Sequence, residues 1–222
     1  MDLPNSVGQS SIEVEQKFRL ADPLLLLAKL LAAGATEIAV EHHADTYYRH
    51  PSRDFAQTRE ALRIRRIARS TADSSLSAEK ASVADESSQS PETRVTYKGP
   101  YSTTGVKARP ELEWRLDPCD EDGRNMQSLF EFLGFTSVMT VRKTRRSFLL
   151  GYGGRELVVT IDDAELLGTF AEVETIAADE QEIEACRGRI SELAEMLDLR
   201  SPEGKSYLTM AMEYASENAS PS

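Results

Sequence analysis

IEVEQKF, residues 12–18, alternates apolar and charged side chains in the way that a half-buried β-strand does. Successive side chains of a strand point to opposite faces of the sheet, so residues two apart lie on the same face. The charged residues of this stretch therefore share one face: Glu13, Glu15 and Lys17. The apolar residues share the other face, which predicts a strand that packs on a core with one side and carries charge on the other.

The same alternation recurs along the rest of the chain. It predicts strands near residues 11–20, 37–48, 60–67, 94–100, 106–117, 138–150, 156–162 and 168–176, and helical spacing predicts helices near 23–33, 125–134, 179–199 and 206–214. The charged strand faces carry Arg63, Arg65, Lys98, Lys107, Arg109, Glu111, Glu113, Lys143, Arg145, Glu172 and Glu174. The helices are few and amphipathic, so the apolar strand faces are expected to pack beneath them.

The sequence pattern is consistent with two arrangements of these strands. Closing about eight strands into a barrel leaves an interior wide enough for side chains or one small ligand. The charged faces would then line a tunnel suited to a triphosphate with its metal ions, because divalent cations take carboxylate oxygens and phosphate oxygens take Arg and Lys. The alternative is an open sheet whose wet face carries cross-strand ion pairs and needs no ligand. Strand by strand the pattern favours the open sheet. Repetition over many strands and the E-x-E-x-K spacing, together with the family resemblance described below, lead us to expect an α+β fold, a closed eight-stranded antiparallel β-barrel with flanking α-helices.

The composition is that of an ordinary globular protein. Its 222 residues suit one domain, expected at 11–215, with flexible ends at 1–10 and 216–222. A net charge of −11 argues against a nucleic-acid partner. We expect no membrane partner, because the N-terminus lacks the features of a signal peptide and the longest apolar run is too short to cross a bilayer. Cys119 and Cys186 form neither a metal-ligand spacing nor a disulfide framework, which indicates a cytoplasmic protein.

One segment departs from the strand pattern. Residues 70–92 are rich in Ser, Ala and acidic residues and contain almost no large apolar side chain. Such a segment cannot bury enough apolar surface to become ordered. Because the strand pattern resumes directly after it, we interpret the segment as a disordered insertion in a hairpin.

A series of short motifs in a fixed order resembles a known family. After IEVEQKF come ADTYYRHP at 44–51, ALRIR at 61–65, TYKGP at 96–100, VRKTR at 141–145, IDDAELLGTFAEVE at 161–174 and KSY at 205–207. Together they resemble the CYTH superfamily, the triphosphate tunnel metalloenzymes, which includes class IV adenylyl cyclases, thiamine triphosphatases and inorganic triphosphatases. The resemblance covers roughly residues 11–210. RHPSRDF at 49–55 departs from it, since an acidic stretch is expected there.

The resemblance implies a set of site residues and a metal cofactor, Mg²⁺ or Mn²⁺. Carboxylates matching the metal site are Glu13, Glu15, Glu172 and Glu174, aided by Glu111, Glu113 and Asp162. Cations matching the triphosphate site are Lys17, Arg63, Arg65, Lys98, Arg145 and Lys205, with Lys107, Arg109 and Lys143 as further candidates. Of these cations, Lys17, Arg65 and Arg145 are the expected catalytic residues.

The function expected from this resemblance is a metal-dependent reaction on a small-molecule triphosphate. The GTFAEVE segment looks more like class IV adenylyl cyclases, which convert ATP to cyclic AMP and pyrophosphate, than like thiamine triphosphatases. A triphosphatase is the first alternative and a non-catalytic polyphosphate- or nucleotide-binding module the second, in a monomer or a homodimer. Three other residues are expected to be structural: His42 and His43 as a surface pair, and Trp114 as part of the core.

Overall fold

The strands close into an eight-stranded antiparallel barrel, which confirms the predicted fold class. The computed structural model describes residues 11–69, 92–101, 106–116 and 120–219. The strands are β1 (Ser11–Arg19), β2 (Thr36–Arg49), β3 (Ala61–Arg69), β4 (Glu92–Lys98), β5 (Lys107–Arg115), β6 (Thr136–Tyr152), β7 (Arg155–Ala164) and β8 (Gly168–Ala177). The α-helices are α1 (Pro23–Ala32), α2 (Phe55–Thr58), α3 (Arg124–Phe132), α4 (Ile183–Met196) and α5 (Tyr207–Glu217). Around the barrel the order is β1-β5-β4-β3-β2-β6-β7-β8.

Most element boundaries lie close to the predicted ones, because local signals set them. Helix α1 begins where Asp22 accepts hydrogen bonds from the backbone N–H groups of Leu24 and Leu25, both at 3.0 Å, with proline at its first position. Helix α2 was not predicted, since four residues are too few to show a helical period. Helix α5 extends to Glu217, two residues beyond the expected end of the domain. The expected insertion at 70–92, apart from Glu92, and the N-terminal residues 1–10 lie outside the described residues.

The main hydrophobic core lies outside the barrel, between the strands and two helices. The apolar faces of β1, β6, β7 and β8 supply Val14, Phe18, Phe148, Leu157, Val159 and Val173, and α1 and α4 supply Leu26, Leu30, Ile190 and Leu193. All of these side chains are almost fully buried. Burying the apolar strand faces on the outside leaves the charged faces to line the interior.

Two smaller clusters hold the remaining helices. Phe130 of α3 packs on the outer side of β2 and β3, and its ring meets the ring of Tyr48 edge-on with centroids 5.1 Å apart. Helix α5 packs Tyr207 and Met210 against Phe170 and Ala164, which lie next to the β7–β8 turn. Helix α5 therefore lies over one end of the barrel and brings Tyr207 to the tunnel.

Two structural expectations are wrong. Trp114 is 52% exposed because it lies near the end of β5 and joins none of the core clusters formed by the described residues. His42 and His43 do point to opposite faces, as expected for neighbours in a strand, but His43 is buried in the interior rather than on the surface. Within the parts of the chain that the structure describes, no helix is long and apolar enough to span a membrane.

Candidate functional site

The inward strand faces line a cavity of about 1580 Å³. Its wall carries side chains of both charges, and nearly all of the predicted site residues line it: Glu13, Glu15, Lys17, Arg63, Arg65, Lys98, Lys107, Arg109, Glu111, Glu113, Lys143, Arg145, Glu172 and Glu174. Asp162 is fully buried behind the wall, and Lys205 lies outside. The barrel thus brings together residues from β1, β3, β4, β5, β6 and β8 that are up to 161 positions apart, the separation of Glu13 and Glu174.

Three carboxylates form a compact cluster on β1 and β8. One oxygen from each of Glu13, Glu15 and Glu174 lies within 4.8 Å of the others. Glu15 and Glu174 are direct partners in the β1–β8 register, a placement of like charges that destabilises a sheet. Burial, together with repulsion from Glu13 and Glu172, raises the pKa of Glu174 to about 7. Three converging carboxylates fit a hard divalent cation, which prefers oxygen ligands and would relieve this repulsion.

Glu172 does not belong to that cluster, although it lies only two residues from Glu174 on the same face. It lies opposite Lys17 in the register, with a distance of 3.3 Å from the lysine Nζ to Oε1, and it accepts a hydrogen bond from Arg145. Burial opposes ionisation of Glu172, but Arg145 and Lys17 hold its pKa well below the ordinary value. Its charge is therefore neutralised by protein cations, which leaves little negative charge on Glu172 to attract a metal.

The carboxylate of Asp162 also pairs with cations of the protein. Its carboxylate is fully buried and accepts hydrogen bonds from Lys143 Nζ at 2.8 Å, Arg145 Nε at 2.7 Å and the Tyr207 hydroxyl at 2.7 Å. Burial alone would raise its pKa, yet Arg145 and Lys143 lower it to about 2. Asp162 is thus a fixed anion that orients two cations toward the cavity.

Glu111 and Glu113, the other predicted metal ligands, are likewise engaged by cations. Glu111 pairs with Lys98 at 2.8 Å, and Glu113 pairs with Arg94 at 2.7 Å. Lys98 also contacts Glu13, which links this pair to the edge of the carboxylate cluster. Glu15 likewise contacts Arg109 at 2.8 Å, so among the described residues Glu174 is the member of the cluster without a cation in ion-pair contact.

Asp45 organises the cations of β3. It is the register partner of Arg65, which donates from Nε and Nη2 to its two oxygens at 2.7 Å each, and Arg63 donates to it at 3.1 Å. These two arginines hold the pKa of the buried Asp45 well below its usual range, even though burial opposes ionisation. A bidentate pair of this kind fixes the plane of the guanidinium and leaves its outer N–H groups for an anion.

Lys107 and Lys143 are the interior cations least neutralised by their surroundings. Lys107 has no carboxylate in ion-pair contact among the described residues, and Arg109 beside it pairs with Glu15 at 2.8 Å. Burial and the neighbouring cations Lys17 and Arg109 lower the pKa of Lys107. Burial, with Arg145 as the strongest neighbouring cation, lowers the pKa of Lys143 to about 8. An anion in the cavity would offset both effects.

The structure places Lys205 on the surface instead of in the tunnel. Its side chain is 53% exposed and pairs with Glu213 at 2.7 Å. Tyr207 of the same KSY motif enters the site: its ring lies 3.6 Å from Lys17 Nζ and 4.6 Å from Lys143 Nζ, measured to the ring centroid. Helix α5 begins at Tyr207, so the residue two positions earlier points elsewhere.

Sequence reasoning missed several residues of this interior. Besides Asp45 and Tyr207 they include Arg94 and the pair Glu41–His43, joined at 2.9 Å. Burial lowers the pKa of His43 to about 4, and Arg65 and Lys143 add to the effect, whereas the hydrogen bond to Glu41 opposes it. Alternation in β2 places Glu41, His43 and Asp45 on one face and could have indicated them.

Comparison with known proteins assigns the chain to a family. A model described as the CYTH domain matches residues 11–206. A Methanocaldococcus jannaschii protein named "Putative adenylate cyclase" is 31% identical over 201 residues, which are 90% of this chain and 98% of that protein.

Solved structures share the barrel. A Pyrococcus horikoshii protein has a TM-score of 0.73 and 30% identity over 90% of this chain and 98% of its own. A Hippeastrum protein, described as a "Putative adenylyl cyclase" that reveals a dominant triphosphatase activity, has a TM-score of 0.55 over 95% of this chain and 98% of its own. Its identity of 14% limits that likeness to the fold. The chain therefore belongs to the CYTH domain family, and Glu13, Glu15 and Glu174 form an acidic cluster that could bind the metal on which that family depends.

Proposed function

We propose that this protein is a divalent-metal-dependent enzyme that acts on the triphosphate of a nucleotide, most like a class IV adenylyl cyclase. The observation that carries the proposal is the cluster of Glu13, Glu15 and Glu174, three carboxylates within 4.8 Å beside a wall of oriented cations. Carboxylates and cations side by side match the two parts of a metal–triphosphate complex. Mg²⁺ or Mn²⁺ would polarise phosphate oxygens at this cluster.

The cations of the protein would hold the phosphate chain in one orientation. Arg145 is fixed by Asp162 and Glu172, and Arg65 is fixed by Asp45, so both guanidinium groups are oriented before the substrate arrives. Lys17 and Lys143 present their ammonium groups from the side of Tyr207. Donors that are already oriented stabilise the charge that develops on phosphate oxygens without a further reorganisation cost.

The size of the cavity favours a nucleotide over a bare triphosphate. About 1580 Å³ exceeds the usual range of roughly 300–1,000 Å³ for sites that enclose a small molecule, so an organic group has room beside the phosphates. The relative from Methanocaldococcus jannaschii, named for adenylate cyclase activity, supports the same reading. In that reaction the ribose 3′-hydroxyl attacks the α-phosphorus and pyrophosphate leaves.

A triphosphatase is the second candidate, because the same metal and cation arrangement serves both reactions. In hydrolysis a water attacks the terminal phosphorus and orthophosphate leaves. The description of the Hippeastrum protein names such an activity for a protein of this fold. A non-catalytic binding module is less well supported, since a pure anion binder gains nothing from carboxylates that repel one another beside its ligand.

Product analysis tests the proposal. The protein is incubated with ATP, thiamine triphosphate and tripolyphosphate, each with Mg²⁺, with Mn²⁺ and with a chelator, and the products are identified. We expect cyclic AMP and pyrophosphate in equal amounts from ATP, only when metal is present. Orthophosphate as the sole product would assign the protein to the triphosphatases, and the absence of metal-dependent turnover of all three compounds would refute an enzymatic role. Glu15→Gln serves as a control, because a contaminating enzyme would leave its rate unchanged.

A further inference from the structure

His43 lies in the wall of the tunnel on strand β2. Its side chain is buried, and the residue lines the cavity. Around the barrel, β2 is separated from β1 by three strands in each direction. His43 therefore faces the interior from the wall opposite the strand that carries Glu13 and Glu15 of the carboxylate cluster. A substrate between the two walls would have the cluster on one side and His43 on the other.

The carboxylate of Glu41 fixes which nitrogen of the His43 ring carries the hydrogen. The distance from Nε2 to Glu41 Oε2 is 2.9 Å, and Arg69 holds the other oxygen of Glu41 at 3.1 Å. The hydrogen bond with His43 is the main cause that lowers the pKa of Glu41 to about 2, although burial opposes it. Glu41 is thus an anion that only accepts hydrogen bonds, so Nε2 carries the hydrogen and Nδ1 keeps a lone pair.

The lone pair on Nδ1 has no hydrogen-bond donor within the described parts of the chain. The register partner of His43 on β3 is the apolar Ile67, and its partner on β6 is Lys143, whose ammonium donates to Asp162 at 2.8 Å. A buried acceptor without a donor costs stability, which indicates a group that the substrate or a water supplies. Ionised phosphate oxygens only accept hydrogen bonds, so the missing donor is not the phosphate chain.

His43 is a neutral side chain among charged ones. The charged side chains that face it are Glu41 and Asp45 on β2, Arg65 and Arg69 on β3, and Lys143 and Arg145 on β6. Burial and three of these cations keep the pKa of His43 at about 4, so the ring is neutral and able to accept a proton at neutral pH. A triphosphate bound to the same cations would offset their charge and raise this pKa. His43 would therefore become a stronger base when the substrate is in place.

The interior carboxylates are less suited to accept a proton from a substrate. Most of them are held by cations: Asp45, Glu111, Glu113, Asp162 and Glu172. Glu174 belongs to the candidate metal cluster. A carboxylate that neutralises a neighbouring cation is a weak base, because the cation favours its ionised form.

We propose that His43 is the general base of the reaction in the tunnel and that its Nδ1 takes the proton of the attacking hydroxyl group. The inference rests on the proposed function, because it takes the tunnel as the site of phosphoryl chemistry. The attacking group is an O–H nucleophile, either the ribose 3′-hydroxyl or a water. As its oxygen forms a bond to phosphorus, its proton moves to Nδ1. The bond from that phosphorus to the leaving phosphate oxygen breaks, and the leaving phosphate keeps the electron pair.

Glu41 completes this step as a positioning residue. The imidazolium that forms carries a hydrogen on both nitrogens, and the carboxylate beside Nε2 stabilises its charge. The proton on Nδ1 then passes to the leaving phosphate or to solvent, which returns the ring to its neutral form.

Four variants test the inference with the full-length protein and saturating metal. His43→Gln keeps an amide donor toward Glu41 and has no acceptor in the place of Nδ1. His43→Asn places an amide oxygen near the position of Nδ1, which accepts a hydrogen bond but not a proton. Glu41→Gln removes the charge beside Nε2. The matched control is His42→Asn, because His42 is the exposed neighbour on the other face of β2 and contacts Thr144 at 3.1 Å.

We measure kcat, KM and the products from ATP, thiamine triphosphate and tripolyphosphate as a function of pH, and Tm for each variant. Both His43 variants should lower kcat about 10²- to 10⁴-fold, with KM and Tm nearly unchanged. The wild-type rate should fall on the acid side as Nδ1 takes up a proton, and both His43 variants should lack this step. Glu41→Gln should move the step to lower pH, and His42→Asn should behave as the wild type does.

Two further readouts refine the test. Loss of cyclic AMP formation in the His43 variants identifies the ribose hydroxyl as the nucleophile, and loss of orthophosphate release identifies a water. The chain has three histidines, so the nitrogen NMR signals of the His43 ring can be assigned by substitution. They should show hydrogen on Nε2 in the free protein at neutral pH. Hydrogen on Nδ1 would overturn the inference.

Other results overturn it as well. If the wild type turns over a triphosphate with metal and both His43 variants keep its kcat, His43 is not the base while the proposed function stands. If His43→Asn keeps the rate and His43→Gln does not, Nδ1 accepts a hydrogen bond without taking the proton. If kcat falls only in proportion to a loss of Tm, the role of His43 is structural. If the wild type shows no metal-dependent turnover of the three compounds, this inference and the proposed function both fail.

Discussion

Replacing Glu174 by glutamine should stabilise the metal-free protein and weaken its metal site. The side chain keeps its size and loses a charge that, among the described residues, no cation contacts directly. Glu174 lies opposite Glu15 and shares the carboxylate cluster with Glu13, so the change removes repulsion within the cluster. The same change removes one of three candidate metal ligands.

The expected gain in stability follows from the pKa of Glu174. Burial and the neighbouring carboxylates raise that pKa from 4.5 to about 7 in the folded state. The folded protein therefore binds the proton more tightly than the unfolded chain, and the unfolding free energy falls as the pH rises from about 4.5 to about 7. The loss amounts to up to about 3 kcal/mol above pH 7. Glu174→Gln should restore it, which corresponds to a rise of roughly 6–12 °C in Tm at pH 8.

Glu172→Gln is the matched control for this substitution. The two glutamates lie two residues apart on the same face of β8, and the chemical change is identical. Glu172, however, neutralises Arg145 and Lys17. Removing it leaves two buried cations short of a partner, so this variant should lose stability, by about 3–5 kcal/mol if the loss resembles that of other buried pairs. The two substitutions should therefore move Tm in opposite directions.

Thermal unfolding with a chelator and with increasing Mg²⁺ or Mn²⁺ measures both effects. The wild type should gain about 2.7 kcal/mol when metal is present at a hundred times its dissociation constant, and Glu174→Gln should gain clearly less at the same concentration. At pH 5 the wild type and Glu174→Gln should unfold at nearly the same temperature. A metal-free Glu174→Gln that is less stable than the wild type at pH 8 would refute the argument that the cluster is a repulsive site awaiting a cation.

Three further predictions concern the interior cations and the segment between β3 and β4. Lys17→Ala should weaken triphosphate binding about ten- to a hundredfold, measured by calorimetry, and added metal should not restore the affinity. Glu15→Gln should also bind the triphosphate more weakly, but added metal should restore part of its affinity. Recovery of affinity in both variants would contradict the assigned roles. Triphosphate affinity should fall as the pH rises above about 8, because the ammonium of Lys143 then loses its proton. This fall in affinity should be absent in Lys143→Met. A fall that persists in this variant would exclude Lys143 as its origin. Residues Ala72–Gln89 lie outside the described residues, and the strands before and after them, β3 and β4, pair with each other. Replacing Ala72–Gln89 by a short Gly-Ser link should therefore leave Tm and activity nearly unchanged. A large fall in Tm would show that an ordered element lies there.

Alternation alone was sufficient to predict which side chains face the tunnel. It placed Glu13, Glu15 and Lys17 on one face of β1 and Glu172 and Glu174 on one face of β8, and the structure has all five in the interior. The faces can be predicted because successive side chains of a strand point to opposite sides of the sheet. The apolar side packs against the helices, so the charged side faces the interior. The predicted faces are therefore a consequence of local pattern, whereas closure of the barrel was expected only with the family resemblance added.

Register could not be predicted in the same way, and register decides what each carboxylate does. The sequence suggested that Glu172 and Glu174 act alike, but pairing of β1 with β8 places Lys17 opposite Glu172 and Glu15 opposite Glu174. A shift of register by two residues could place Lys17 opposite Glu174 without changing any face. Lys205 shows a different limit: its position depends on where α5 begins, and the side chain that reaches the tunnel is Tyr207.

The pairing of charges across the barrel argues against a purely structural sheet. A wet sheet face kept for stability would place opposite charges across each pair, as Lys17 and Glu172 do. The interior breaks that rule with both signs, because Glu15 faces Glu174 and Arg65 faces Arg94 in the register. Carboxylates of the protein offset the arginine pair, because Asp45 contacts Arg65 and Glu113 contacts Arg94. Among the described residues no cation contacts Glu174 directly, so a bound cation would relieve the glutamate pair, and a metal complex of a triphosphate would supply one.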